Sequence, residues 1–284
     1  MPQPAPGEVV VRVAAAGVNG LDWKIRDGLV KDIFQLPLPA TLGLELAGEV
    51  VAVGEGVDSF AVGDRVFGAL GGLGAYASYV AVAASKLAPI PAAVEDATAA
   101  AIPVASTTAW QALFETGQLQ RGETVLIHGA AGGVGSYAVQ FAKQAGVRVL
   151  ATAQGRNADL LRSLGADEVI DYKTTRFEDV AKDIDLVFDL VGGETPDRSW
   201  QVLSPQGRIV SIAAPDIVQR TPAGRRGNWH ANHPDGELLA RIAKQVANGE
   251  LTVVVSELVA AGEAAAAIER NKTGHGAGKT VIRF

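Results

Sequence analysis

Thr124-Val125-Leu126-Ile127-His128-Gly129-Ala130-Ala131-Gly132-Gly133-Val134-Gly135-Ser136-Tyr137-Ala138-Val139-Gln140-Phe141-Ala142 decides how the rest of the sequence is read. It opens with residues of strand type, Thr124 to His128, and runs without a break into a glycine-rich turn. A helical period follows, with Val134, Ala138 and Phe141-Ala142 on one face and Gln140 and Lys143 on the other. Strand, turn and helix in that order are the setting a phosphate-binding fingerprint requires. Ala130, Gly132 and Gly135 take the three positions of G-x-G-x-x-G. The middle glycine lets backbone approach a pyrophosphate, and the last lets helix and strand pack closely. The helix N-terminus offers unbonded N–H groups and a partial positive charge to the anion. On its own such a stretch is an ordinary glycine turn; the strand–helix repeats after it give it meaning.

Downstream, Arg148–Ala153 reads as a second strand and Ala158–Leu164 as a helix stopped by Gly165. Glu168–Asp171, Leu186–Leu190 and Arg208–Ile212 read as further strands between helical stretches. This alternation predicts an α/β fold with a doubly wound parallel sheet covered on both faces. Arg220–Gly236 is polar, carries glycine and proline, and reads as a loop. A helix over Glu237–Asn248, a strand near Val253–Val255, a helix over Glu263–Lys272 and a strand over Thr280–Arg283 close the chain. Upstream of the fingerprint the pattern differs. Val9–Val13, Glu49–Val53 and Tyr76–Val82 read as short strands, and Val62–Gly68 as a turn into a further strand, with turn signals between them. Asn19–Gly28 reads as loop with a short turn, and Asp96–Ala101 and Thr107–Phe114 as helices on either side of Pro103. Short strands at such spacing predict a compact β-barrel-like domain.

With 284 residues, 48% hydrophobic and 20% charged, the chain can bury the core of one large or two ordinary domains. A formal net charge of -6 argues against a partner held by nucleic-acid phosphates, and no apolar run is long enough to span a membrane. The opening Met1-Pro2-Gln3-Pro4 lacks the basic and apolar regions of a signal peptide. Cysteine is absent, which removes disulfides, thiolate nucleophiles and cysteine-ligated zinc, and fits a cytoplasmic protein. The expected partner is a small-molecule substrate.

Gly17-Val18-Asn19 with Asp22, Gly63-Asp64-Arg65-Val66, His128 to Gly135, and the closing Gly278-Lys279-Thr280-Val281-Ile282 come in an order that resembles the medium-chain dehydrogenase/reductases. More narrowly, they are similar to the zinc-independent NADPH:quinone oxidoreductases, over nearly the whole chain. The resemblance implies a GroES-like β-rich substrate domain over 1–113 and 252–284, and a Rossmann NADP-binding domain over 114–251. It also implies an active site between them and a homodimer. Zinc enzymes of that family use a first-loop cysteine and a Gly-His-Glu motif. Here Asn19–Asp22 holds no cysteine, Gly43-Leu44-Glu45 stands at the second place, and His128, His230, His233 and His275 show no metal-ligand spacing. No metal is expected. Family members usually open with a further β-hairpin ahead of a segment like Pro6-Gly7-Glu8. Without it a sheet edge would stand open for pairing with another chain.

Cofactor choice is read after the second strand, where an acid would hold an NAD ribose. Ala153-Gln154-Gly155-Arg156-Asn157 offers no acid and one arginine, whose guanidinium suits the 2′-phosphate of NADP. NADPH is the expected cofactor; in the alternative, Arg156 is a solvated charge and Asp159 takes the ribose. The resemblance adds Tyr172 beside the same phosphate, unless it is a strand-end tyrosine packed on the sheet. The pyrophosphate falls to Ala131, Gly132, Gly133, Val134 and Gly135. The nicotinamide falls to Val191, Gly192, Ile212 and Ala213 at later strand ends, where open α/β sheets bind ligands. Thr108 and Asn19 come from the resemblance, each with a plainer reading, a helix-start cap and a turn asparagine. Hydride passes directly between cofactor and acceptor, so no catalytic side chain is named. Lys24 and Val30 stand where some quinone reductases carry tyrosines, and His128 reads as a buried strand-end residue rather than a base.

The expected activity is metal-free hydride transfer from NADPH to a quinone or an α,β-unsaturated carbonyl. A short-chain dehydrogenase would need Tyr-x-x-x-Lys, and none of Tyr76, Tyr79, Tyr137 or Tyr172 is followed by lysine at that spacing. The non-enzymatic alternative is an NADPH-binding sensor or structural module without turnover.

Overall fold

The structure, a computed structural model, describes residues 1–31, 38–274 and 276–284; His275 lies outside them. The chain forms two compact units, residues 1–107 with 233–284, and residues 108–232. The division expected at 113/114 and 251/252 differs chiefly in the helix Gly236–Ala247, which lies within the first unit.

The first unit is built on a seven-stranded sheet, among the described residues. Its order is Val255–Ala260, Lys279–Arg283, Glu8–Gly17, Glu45–Val53, Arg65–Ala69 and Leu87–Pro89, with Tyr79–Ala83 also paired to Glu8–Gly17. The strand Glu8–Gly17 organises it. Val9, Val11 and Val13 pack with Leu46, Val50, Val66, Val82 and Leu87, a β-branched face suited to a pleated, buried surface. Each such side chain contributes roughly 1.5–3 kcal/mol by leaving water. Along Glu8–Arg12 this strand takes Tyr79–Ala83, along Ala15–Gly17 it takes Lys279–Arg283, and Glu45–Val53 covers its other side. The strand Glu8–Gly17 is therefore not an open edge.

Two readings change in this unit. Asn19–Gly28, read as loop, contains the helix Gly20–Arg26, because the Asp22 carboxylate accepts the Asn19 N–H at 2.8 Å and closes the first turn. Seven residues are too few for a helical period to show. The strand read near Val253–Val255 is Val255–Ala260, where pairing to Lys279–Arg283 rather than hydrophobicity sets the bounds.

The second unit is a six-stranded parallel sheet in the order Arg226–Trp229, Leu203–Ser211, Ile184–Asp189, Thr124–His128, Arg148–Ala153, Glu168–Asp171. This is the doubly wound order, with its reversal between Thr124–His128 and Ile184–Asp189. Val125, Leu126, Ile127, Leu186, Val187 and Phe188 have no exposure, the continuous apolar runs of strands covered on both faces. Arg226–Trp229 corrects the loop reading of Arg220–Gly236. Its residues Arg-Gly-Asn-Trp have no apolar run, and only register against Arg208–Ser211 makes them a strand. Gln140, read as facing outward, is buried, its amide donating to the Ser136 carbonyl at 3.0 Å. Where a helix was read over Thr107–Phe114, the α-helix instead starts at Pro103, which suits a first helical turn, and runs to Trp110; Gln111–Thr116 continues as a π-type turn.

Candidate functional site

Twelve of the fourteen residues expected to hold a cofactor lie just beyond the carboxyl ends of this parallel sheet or on the turn and helix start that follow. Gly129, at φ +71°, turns the chain out of Thr124–His128, and the Ala130 N–H bonds the Thr152 carbonyl of the next strand at 3.1 Å. Gly132 caps the helix Gly133–Gln144 in extended backbone. A Cβ on Gly135 would lie 2.6 Å from Ala130 Cα and from the Ala130 and Gly129 carbonyl oxygens, so helix and turn touch there. A Cβ on Gly132 would meet only the Gly129 oxygen, at 3.4 Å. The turn is thus closed behind Gly135 and open in front of Gly132, where the first N–H groups of the helix lack an intrahelical acceptor.

At the ends of the next two strands, Gln154 Nε2 donates to the Tyr172 hydroxyl at 3.0 Å and the Tyr172 N–H bonds the Ala153 carbonyl at 3.2 Å. Tyr172 is 54% exposed, so it is not packed on the sheet. Arg156 is exposed in the short turn Gly155–Asn157. Asp159 is fully exposed and pairs with Arg162 on its own helix. Sequence reading passed over Asp171 and Lys173. A Cβ on Gly155 would fall 2.6 Å from Asp171 Oδ2, and Asp171 Oδ1 accepts the Lys173 N–H at 3.0 Å. The acid is thereby folded against the turn while Lys173 stays exposed.

Val191, Gly192, Ile212 and Ala213 follow the strands Ile184–Asp189 and Leu203–Ser211. A Cβ on Gly192 (φ +75°) would lie 2.9 Å from the Ala213 oxygen, and one on Gly129 would lie 3.2 Å from Val191 Cγ2. The two loops and the fingerprint turn therefore meet at the sheet's reversal point. Two fully buried polar residues that carried no pattern in the sequence, Asp189 and Ser211, stand behind these loops, hydroxyl to carboxylate at 2.6 Å.

His128 is buried, with Nδ1 3.1 Å from Thr152 Oγ1 and Nε2 3.1 Å from Ser199 Oγ. Ser199 donates its proton to the Thr195 carbonyl, so its oxygen accepts from Nε2–H. Burial pushes the imidazole down to about 4, which suits a packed structural ring and not a base. His230 is buried with Nδ1 2.9 Å from Thr116 Oγ1. Thr108 is buried in the helix Pro103–Trp110.

Asn19 belongs to the first unit, and its amide is fixed on three sides. Nδ2 donates to Glu45 Oε1 at 2.8 Å and to the Gly17 carbonyl at 3.3 Å, while Oδ1 accepts from Lys279 Nζ at 2.7 Å. Lys279 and Glu45 are both buried and bond each other at 2.6 Å, and Glu45 Oε2 accepts the Val104 N–H at 2.7 Å. Gly17 is required beside them, since a Cβ there would collide with the Glu45 carboxylate. Asp22 is buried too, and burial raises its pKa despite bonds from Asn19 N–H and the Tyr76 hydroxyl. Lys24 lies over the Trp23 ring. Leu44 is buried, and among the described residues no group of three histidine, aspartate or glutamate side chains gathers as a metal site.

Known proteins match both parts of the chain. Residues 5–92 match the alcohol dehydrogenase GroES-like domain, and residues 164–282 match the zinc-binding dehydrogenase family. A chloroplastic quinone oxidoreductase of Triphysaria versicolor is 33% identical over an alignment covering 99% of this chain and 91% of its own. The chain belongs to the medium-chain dehydrogenase/reductase family. As a quinone oxidoreductase-like member of it, the protein is an oxidoreductase. The quinone oxidoreductase of Coxiella burnetii aligns with a TM-score of 0.93 at 32% identity, covering 100% of this chain and 93% of that one. The Escherichia coli quinone oxidoreductase complexed with NADPH gives 0.89 at 29% identity, covering 100% and 94%. No helix of the described residues is long and apolar enough to cross a membrane.

Proposed function

We propose that the protein binds NADPH and transfers its hydride, without zinc, to a quinone or an α,β-unsaturated carbonyl. The observation that carries this reading is the carboxyl end of one sheet, which combines a glycine turn open at Gly132 with a lip of half-buried Gln154 and exposed Arg156 and Tyr172. The N–H groups of Ala131, Gly133, Val134 and Gly135 take the pyrophosphate, and Gly132, whose own N–H is held by the Gly129 carbonyl at 3.1 Å, gives it room to approach. The Arg156 fork, beside Tyr172 and Gln154, takes the 2′-phosphate. Val191, Gly192, Ile212 and Ala213 flank the nicotinamide, with Thr108 as a further contact from the same unit. NADPH supplies the hydride; the chain binds, orients and excludes water. A reduced quinone leaves as an anion that solvent protonates, so that substrate needs no acid from the chain. Zinc independence is supported by residue chemistry: Leu44 is a hydrocarbon, and the sequence holds no cysteine. A cytoplasmic enzyme, and a homodimer, complete the reading.

The test is cofactor oxidation followed by absorbance, with a small quinone and then an enone, using NADPH and NADH in turn. Fast NADPH oxidation, slow NADH oxidation and indifference to a chelator are expected. Faster NADH oxidation would overturn the role given to Arg156. NADPH binding without oxidation of either acceptor would favour the sensor or structural module instead.

A further inference from the structure

Asp189 and Ser211 are the last residues of neighbouring strands and register partners, and neither has any exposed surface. A carboxylate and a hydroxyl so deeply buried touch no ligand. What they hold is backbone. Asp189 Oδ1 accepts the Val191 N–H at 3.1 Å and the Gly192 N–H at 3.0 Å, and Oδ2 accepts the Ser211 hydroxyl proton at 2.6 Å. With its proton committed there, Ser211 Oγ accepts the Ala213 N–H at 3.1 Å and the Ala214 N–H at 2.9 Å. The Ile212 N–H bonds the Asp189 carbonyl at 3.1 Å. The N–H groups of both crevice loops are thus drawn inward. Among the described residues no protein group donates to the carbonyls of Val191, Ile212 or Ala213.

We propose that Asp189 and Ser211 are positioning residues for the nicotinamide end of the cofactor: together they lock two loops so that the face offered to a ligand consists of hydrogen-bond acceptors. The proposal rests on the NADPH reading above. Removing the Ser211 hydroxyl leaves the half-buried Ala213 N–H and the buried Ala214 N–H without their acceptor, and leaves Asp189 Oδ2 with only the Gly192 N–H at 3.2 Å. Turning outward is the way for the loop to satisfy those N–H groups. The ring of NADPH would then meet donors where its carboxamide needs acceptors, whereas the adenosine end, held by other strands, would be unaffected.

Calorimetric titration of Ser211→Ala and Ser211→Thr with NADPH and with 2′,5′-ADP, which lacks the nicotinamide, separates the two ends. Ser211→Ala is expected to weaken NADPH binding and raise its KM about tenfold or more, with 2′,5′-ADP affinity and quinone KM changed less than about twofold. Ser211→Thr, which keeps the hydroxyl, should restore most of the loss. Asp189→Asn should follow Ser211→Ala; where it does not fold, the Ser211 pair decides. A folded Ser211→Ala protein with the wild-type NADPH affinity and kcat overturns the proposal, as does parallel weakening of NADPH and 2′,5′-ADP. A wild-type protein that binds neither would overturn the cofactor reading, and this inference with it.

Discussion

Gly132 and Gly135 stand three residues apart and are expected to fail in different ways. An alanine at Gly135 puts a methyl 2.6 Å from backbone that cannot yield, an overpacking that costs about 1–3 kcal/mol. Gly135→Ala should therefore melt lower and bind NADPH weakly. An alanine at Gly132 meets only one oxygen at 3.4 Å, so the fold survives while the methyl occupies the open side of the turn. Thermal melts paired with NADPH titration check both; a Gly132→Ala protein binding NADPH like wild type would sink the pyrophosphate assignment. Arg156→Ala should raise KM for NADPH about ten- to a hundredfold, the worth of one or two charge-assisted bonds, and leave KM for NADH unchanged. The two glycines were legible because a fingerprint fixes their spacing. Asp189 and Ser211 were not, because an isolated aspartate and serine form a pair only once strand register sets them side by side.

The strand Thr124–His128 ties stability to pH through its last residue. His128 is neutral in the folded chain down to about 4, whereas the unfolded side chain gains its proton near 6.5. The unfolded chain therefore binds more protons between those values, and stability falls as pH drops from 6.5 towards 4. The change is on the order of 3 kcal/mol. Nearby, hydrogen bonds from Arg198 lower the buried Glu178 carboxyl from 4.5 to about 2, which adds stability above 4.5 that is lost as pH falls towards 2. Urea unfolding at a series of pH values should show both slopes. His128→Gln should flatten the upper one and Glu178→Gln the lower, and an unchanged upper slope in His128→Gln would contradict the buried neutral ring. Elements with their own apolar run, such as Val125 to Ile127, could be read from sequence. Gly20–Arg26 and Arg226–Trp229 could not, since a carboxylate cap defines the first and a neighbouring strand the second.

For the whole molecule, motif order carried further than composition. The parallel sheet and the β-rich unit were both legible, and the family with them, because each motif is a local signal. How the first sheet closes was not. Its central strand, Glu8–Gly17, is completed by Lys279–Arg283, and among the described residues the buried Glu45 carboxylate finds its cation in Lys279. A ribosome therefore delivers the two units in unequal states. Once residues up to Ala247 have emerged, all six strands of the parallel sheet are present, while the earlier sheet still lacks its last two strands and holds a carboxylate without its counter-ion. Limited proteolysis of nascent chains arrested at that length should find residues 108–232 resistant and residues 1–107 cut. Translation order makes the part synthesised first the last to become a folded body.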